Sequence, residues 1–230
     1  IVHPLHKFSA QRITIILKML HKKRFISKHE FDHFVPPGKY SFRHFYLLPK
    51  IHKPRDSWID GVPPGRPIIS NVNTESSSCE ELIDYFLQPF VKQVSSYIRD
   101  TDHFLALLSN YNINDSDFLF TLDVTSLYTN INTVKGLRVI KNIFNTHPDI
   151  SRPSASILNL LEICLNRNDF LFNGNWYIQV KGTAMGRKWA PAYANLFMSQ
   201  WENNILGNYF LKPTCWLRFL DDIFGIWPYG

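Results

Sequence analysis

The sequence predicts an α+β fold, an antiparallel sheet with helices packed on one face. Three observations lead there. Short runs of aromatic and β-branched residues, at 118–122, 169–180 and 215–227, end at turn residues and read as strands. Longer segments between them space their apolar residues at helical period. The elements follow one another as β–α–α–ββ–α–ββ, hairpins separated by helices rather than the regular alternation that builds a parallel sheet. With 230 residues, 45% of them apolar and 19% charged, the chain has ordinary globular composition and room for one large domain or two small ones.

Taken in order, residues 10–34 read as helical, "RITIILKMLHKKRFI" mixing apolar and basic positions. Residues 35–67 hold seven of the 14 prolines and three glycines, which excludes a long helix. Short strands fit there at "FRHFYLL" and "RPIISNV", and the segment reads as a stiff basic loop system that grips something. Residues 75–110 are helical again, with Leu82, Tyr85, Phe86 and Val91 near helical period and a kink at Pro89. A buried strand runs from Phe118 to Leu122 and ends at Asp123. Thr133 is placed to cap a helix over 134–147, and a further helix covers 154–168. "DFLFNGNWYIQV" is a hairpin around Asn173-Gly174-Asn175. A glycine-bearing loop from Gly182 becomes a helix at Ala190 or Pro191, where proline suits the first turn. "CWLRFLDDIFGIW" reads as strand, Asp-Asp turn, strand.

Charge is unevenly spread. Residues 1–56 carry 12 Lys and Arg against Glu30, Asp32 and Asp56, a local +9, whereas the whole chain is only +6. A basic N-terminal part favours a polyanion such as nucleic acid or a nucleotide, against the plainer reading of a solubilising surface. Cys79, Cys164 and Cys215 are far apart, with neither metal-ligand spacing nor enough partners for a disulfide framework. His29 and His33 share a helix face, but no third ligand stands near them in sequence. No apolar run approaches the roughly 18 residues of a membrane span, and the N-terminal stretch is too charged for a signal peptide. The expectation is an intracellular protein and, because Ile1 is not methionine, a processed chain or fragment.

The chemistry lies in the carboxylates. A buried carboxylate is costly unless it is paired or bound to metal, yet Asp221 and Asp222 stand together inside an apolar run. If the strand ending at Asp123 neighbours that hairpin, three carboxylates converge. Hard divalent cations take such oxygen ligands, and Mg2+ commonly adds substrate phosphates. Two such ions about 4 Å apart clamp an in-line phosphoryl transfer. Asp-Asp is also common in solvent-facing turns, so the pair alone decides little.

The pair is not alone. "LDVTSLYTNI", "GTAMGRKWAPAYANLFM" and "RFLDDIFGIW" stand in the order and spacing of reverse-transcriptase motifs A, B and C. With "YLLPKIHKP" and "GRPIIS" upstream, the wording resembles the Penelope-like retroelements, which are similar to telomerase-type reverse transcriptases. The resemblance runs from about Tyr40 to Trp227.

That resemblance implies a right-hand polymerase fold: fingers with the start of the palm over 40–116, and an antiparallel palm sheet with packed helices over 117–230, preceded by the basic helical region over 1–39. It implies RNA template, DNA primer and dNTP as partners, a nuclear location, and two Mg2+ ions, with Mn2+ as a substitute. Asp123, Asp221 and Asp222 match the catalytic, metal-binding aspartates, with the Val124 carbonyl as a further metal ligand. Tyr128 matches the aromatic residue that clashes with a ribose 2′-OH; without the motif it would read as a core tyrosine. Leu220 stands where many relatives have an aromatic or small residue. Arg66 matches the fingers arginine, suited to phosphate by its bidentate fork, and Lys50 the fingers lysine; Lys53 is a rival for that lysine and otherwise a nucleic-acid contact. Met185 and Gly186 follow the Penelope-like form of motif B and would support the new base pair, Gly186 by close backbone approach. Arg187, Lys188 and Trp189 are bulkier than the motif's common small residues. They are expected either to contact template phosphate and stack on a base, or to mark drift.

The chain stops eight residues after Asp222, so the thumb that normally follows is expected to be missing, as is the GIY-YIG endonuclease that Penelope-like proteins often carry. A non-catalytic nucleic-acid-binding remnant of a retroelement is the main alternative. A metal-dependent nuclease would use the same carboxylates but leave Tyr128 and the fingers motifs without a role.

Overall fold

The computed structural model describes residues 5–229. Helix α1, Leu5–Lys22, buries Ser9, Ile13, Ile16, Leu17 and Leu20, a stripe at helical spacing. The helix expected to run on to residue 34 is broken here. Arg24 takes φ +62°, and a second helix, α2, spans Lys28–Phe34. The cause is a capping box: Ser27 Oγ accepts from the Glu30 N–H at 3.1 Å, and the Glu30 carboxylate accepts from the Ser27 N–H at 2.7 Å. Such reciprocal bonds satisfy the free N–H groups of a new helix start.

The helical stretch expected over 75–110 is likewise two helices, α3 at Cys79–Val91, with Pro89 inside it, and α4 at Thr101–Leu108. Asp100 starts the second by accepting from the His103 N–H at 2.8 Å. A four-residue helix, α5, spans Leu127–Asn130. Helix α6, Thr133–Thr146, is capped by Asn132 and not by Thr133: Asn132 Oδ1 accepts from the Lys135 N–H at 2.9 Å. Helix α7, Ser154–Leu165, ends short of the expected 168 because Arg167 and Asp169 are drawn into a buried ion network. Helix α8, Ala190–Asn208, begins with proline in its first turn, as expected.

The sheet is divided in two. Strands β3 (Phe118–Asp123), β6 (Cys215–Phe219) and β7 (Asp222–Trp227) form an antiparallel sheet in the order β3-β7-β6. The register puts Phe118 opposite Trp227 and Asp123 opposite Asp222. The strand expected to be buried over 118–122 is instead exposed at every position but Phe120, because β3 is the edge of its sheet. The second sheet holds β1 (His44–Pro49), β2 (Gly65–Ser70), β4 (Asp169–Phe172) and β5 (Asn175–Ile178) in the order β2-β1-β4-β5. The 169–178 hairpin turns at Asn173 and Gly174, with φ of +46° and +75°, as its Asn-Gly predicts. It does not join the sheet that carries Asp123; β4 lies parallel to β1 instead.

Helices α1, α3, α6, α7 and α8 share one apolar core, which includes Leu17, Ile83, Leu87, Ile140, Phe144, Leu160, Leu161, Trp189, Tyr193 and Leu196. Beside it runs the buried ion network. Arg43 and Arg167 meet Glu75 and Asp169, and Arg187 meets Glu80, so three guanidinium groups face three carboxylates. Matched pairing of this kind is what makes buried charge tolerable. Among the described residues no helix is long and apolar enough to cross a membrane.

Candidate active site

The antiparallel register brings the carboxylates together. Asp123 is the last residue of β3 and Asp222 the first of β7, and they are direct cross-strand partners. Asp221 lies in the two-residue turn between β6 and β7, because Phe219 is the partner of Asp222. Its carbonyl accepts from the Val124 N–H at 2.9 Å, which ties the end of motif A to the tip of motif C. The other turn residue, Leu220, takes φ +54°, in the left-handed region that glycine occupies most easily.

These aspartates are not buried among the apolar residues of their run, as the sequence alone suggests. Asp123 and Asp222 are exposed and Asp221 half-buried, while Leu217, Ile223 and Ile226 fill the core. The turn ends the sheet, so its carboxylates reach water, while both faces of the sheet behind it are covered, with Leu217 and Ile226 on one and Arg218 and Ile223 on the other. Partial burial, then the charges of Asp221 and Asp123, raise the pKa of Asp222. Among the described residues none of the three forms an ion pair. They repel one another without a cationic side chain to relieve them.

They line one side of a cleft of about 560 Å³. Lys50, Lys53 and Arg66, from β2 and the segment that follows β1, line the same cleft. Tyr128 of α5 stands beside the carboxylates; burial and the charge of Asp221 raise its phenol pKa. Met185 and Gly186 contribute a further part of the lining. The Met185 carbonyl accepts from the Ile69 N–H at 3.1 Å, fastening the motif B loop to β2. Gly186 has φ +108°, and a Cβ there would lie 2.9 Å from the Ile69 carbonyl oxygen. The close approach expected at this glycine is therefore made to β2. His52 and Ser126, which the sequence reading passed over, also line the cleft.

Two of the predicted nucleic-acid contacts are overturned. Trp189 is fully buried, with its ring edge-on to Tyr193, so it cannot stack on a base. Arg187 is also buried; it donates to Glu80 at 2.7 Å, to Asn71 Oδ1 at 2.8 Å and to the Arg167 carbonyl. Its guanidinium is used by the protein, and its hydrogen bonds hold the motif B loop to the first turn of α3 and to Asn71 before it. Lys188 points outward but pairs with Glu81, away from the cleft.

No protein-family model matches the sequence, and no curated protein does either. Solved structures do. Apo telomerase from Candida tropicalis superposes with a TM-score of 0.60 at 13% identity, over 84% of this chain and 40% of that one. A form of it truncated from its C-terminal domain gives 0.58 at 14% identity, over 85% and 46%. Candida albicans telomerase in complex with a fragment of telomeric RNA gives 0.58 at 11% identity, over 88% and 39%. The chain has a reverse-transcriptase-like fold. It spans less than half the length of these telomerase chains.

Within this reverse-transcriptase-like fold the donor set at the cleft is open. Among the described residues no three His, Cys, Asp or Glu side chains, these aspartates included, are grouped so that they could hold a metal ion by themselves. Three mutually repelling, unpaired carboxylates still suit a hard cation that takes one or two of them and completes its shell with water and phosphate, the habit of Mg2+. On the far side of the carboxylates a second, more apolar cleft of about 790 Å³ is lined by Ile98, Phe104, Leu122, Phe219 and Phe224 and shares Asp123 and Asp222.

Beneath the motif C turn lies Arg218, fully buried. It donates to Glu202 at 2.7 and 3.2 Å, to the Asn195 side chain at 2.8 Å and its carbonyl at 3.2 Å, and to the Leu220 carbonyl at 3.0 Å. The sequence signal was available: an arginine three residues before Asp221, on a strand that is otherwise apolar.

Proposed function

We propose that this chain is the fingers and palm of an RNA-directed DNA polymerase, and that it comes from a Penelope-like retroelement. The observation that carries the reading is one cleft lined by Asp123, Asp221 and Asp222 and by Lys50, Arg66 and Tyr128. A nuclease would need the carboxylates but not the other three. The Penelope-like assignment rests on the wording of the motifs, and with it come a nuclear location and a thumb and endonuclease elsewhere in the full protein. The basic region over 1–39, fingers over 40–116 and palm over 117–230 are the matching division of the chain.

In this reading Asp123, Asp221, Asp222 and the Val124 carbonyl hold two Mg2+ ions, for which Mn2+ can substitute. Bound there, the ions supply Lewis acidity toward the primer 3′-hydroxyl and the triphosphate. Arg66 and Lys50 bind the triphosphate oxygens, and Arg66 fixes their orientation through its fork. Tyr128 fills the volume of a ribose 2′-OH and so selects dNTP. Met185 and Gly186 back the new base pair, and Lys53 takes nucleic-acid phosphate. The 3′-hydroxyl gives up its proton to water as its oxygen bonds to the α-phosphorus; the bond from that phosphorus to the α–β bridging oxygen breaks, and pyrophosphate leaves.

The test is dNTP incorporation on a primed RNA template with Mg2+, using the 230-residue chain and a version extended through a thumb. Incorporation by the extended version, lost in Asp123→Ala with template binding kept, is the expected result. Template binding without incorporation in either version would leave a non-catalytic nucleic-acid-binding remnant.

A further inference from the structure

The aspartates of motif C sit on a turn whose backbone needs support. Leu220 holds φ +54°, a conformation that L side chains avoid. The carbonyl of that same residue accepts from Arg218 Nη1 at 3.0 Å. The guanidinium has no freedom to swing away. Its Nε and Nη2 are taken by Glu202, its Nη1 and Nη2 also by Asn195, and both partners belong to α8. Glu202 is fixed in turn by Ser96 Oγ at 2.7 Å and Trp216 Nε1 at 2.9 Å. The backbone of Arg218 is pinned as well: its N–H donates to the Ser96 carbonyl at 2.6 Å, and its carbonyl accepts from the Ile98 N–H at 2.9 Å.

We propose that Arg218 is a positioning residue for the site, clamping the strained Leu220 turn so that Asp221 and Asp222 are presented together with Asp123. The line of force is short. Arg218 holds the Leu220 carbonyl; the next carbonyl, that of Asp221, accepts from the Val124 N–H; and Val124 follows Asp123. Arg218 touches no substrate, being enclosed beneath the turn. A buried arginine here, where any apolar side chain would fill the strand more cheaply, is explained by a fork that bonds a helix and a turn at once. The consequence for metal binding rests on the polymerase reading; the clamp on the turn does not.

The test uses the 230-residue chain, wild type, Arg218→Lys, and Arg218→Lys with Leu220→Gly, with folding checked by circular dichroism. Two quantities are read: the exchange rate of the Val124 amide and the affinity for Mn2+. In Arg218→Lys, Val124 exchange is expected to quicken about tenfold and Mn2+ affinity to fall by a similar factor, since one lost charge-assisted hydrogen bond is worth about that much. Leu220→Gly, which takes positive φ without strain, should restore both toward wild type. A role only in core packing would not be rescued by a glycine in the turn. Unchanged Val124 exchange in folded Arg218→Lys, or no rescue by Leu220→Gly, overturns the proposal. A wild type that binds no Mn2+ counts against the polymerase reading, while Val124 exchange still decides the clamp. If Arg218→Lys does not fold, Glu202→Gln, which loosens the same fork, must quicken Val124 exchange, or the proposal fails.

Discussion

Asp123 and Asp222 are cross-strand partners at the end of the β3–β7 ladder, side by side on two strands that the sequence separates by 98 residues. Like charges placed directly opposite on a sheet repel. The site therefore carries a small built-in instability that a bound cation would relieve.

The first prediction follows from that repulsion. The folded-state pKa of Asp222 lies above its unfolded value, through burial and then the charges of Asp221 and Asp123. Between those two values the native state binds more protons than the unfolded chain, so this group makes stability fall as pH rises through the carboxylate range. Asp222→Asn removes the effect. Its melting temperature should exceed that of wild type by about 1 °C at pH 7, the small size expected of an exposed interaction, and the gain should vanish near pH 3. Thermal melts at the two pH values check this; a variant less stable at pH 7 would sink it.

The register itself rests on a glycine. Gly225 of β7 is the partner of Phe120, and a Cβ at Gly225 would overlap the Phe120 ring. Gly225→Ala must displace that ring or open the ladder, at a cost of about 1–3 kcal/mol, as for other overpacked sites. Urea unfolding measures it. The companion change Phe120→Leu, made in the Gly225→Ala background, should recover part of the loss, because it vacates the space the methyl needs.

The buried ion network separates two adjacent basic residues by stability. Arg187→Ala leaves Glu80 buried without its guanidinium and should cost about 3–5 kcal/mol. Lys188→Ala removes an exposed pair with Glu81 and should cost less than about 1 kcal/mol. Chemical denaturation of the two variants gives the comparison directly. Equal, small losses would return Arg187 to the surface role first expected for it.

Across the cleft, Arg66 and Tyr128 should separate binding from selection. Arg66→Ala is expected to weaken binding of a dNTP and of the matching NTP alike, by about tenfold, the effect of one charge-assisted contact. Tyr128→Ala should leave dNTP binding nearly unchanged and tighten NTP binding. Titration with both nucleotides in the presence of Mg2+ tests each residue, and an unchanged dNTP-to-NTP ratio in Tyr128→Ala would make Tyr128 a packing residue.

Local chemistry made much of this protein legible from sequence. The Asn173-Gly174 turn, the strand that stops at Asp123, the proline start of α8 and the last hairpin each follow from residue types acting over a few positions, although the turn of that hairpin is Leu220-Asp221, one residue earlier than the expected Asp-Asp. Errors at helix ends were also local in origin. Ser27 with Glu30, and Asp100 with His103, carry capping bonds that outweigh a continuous apolar stripe. The motif spacing identified which carboxylates to compare, and the β3–β7 register brings two of them together.

Tertiary structure alone decided the rest. Arg187 and Trp189 read as a basic and aromatic pair suited to a template, yet Arg187 is enclosed by Glu80, Asn71 and the Arg167 carbonyl, and Trp189 by the helical core. Arg218 is conspicuous in sequence only as a cation on an apolar strand; that Asn195 and Glu202 hold it under Leu220 is decided by the fold. The hairpin at 169–178 could have paired with any free edge, and it chose β1. Side-chain type and spacing determine what an element is and which chemistry it can carry. Where a charge is buried, what satisfies it and which edge a strand joins depend on partners far away in sequence, and only the folded chain brings those partners into contact.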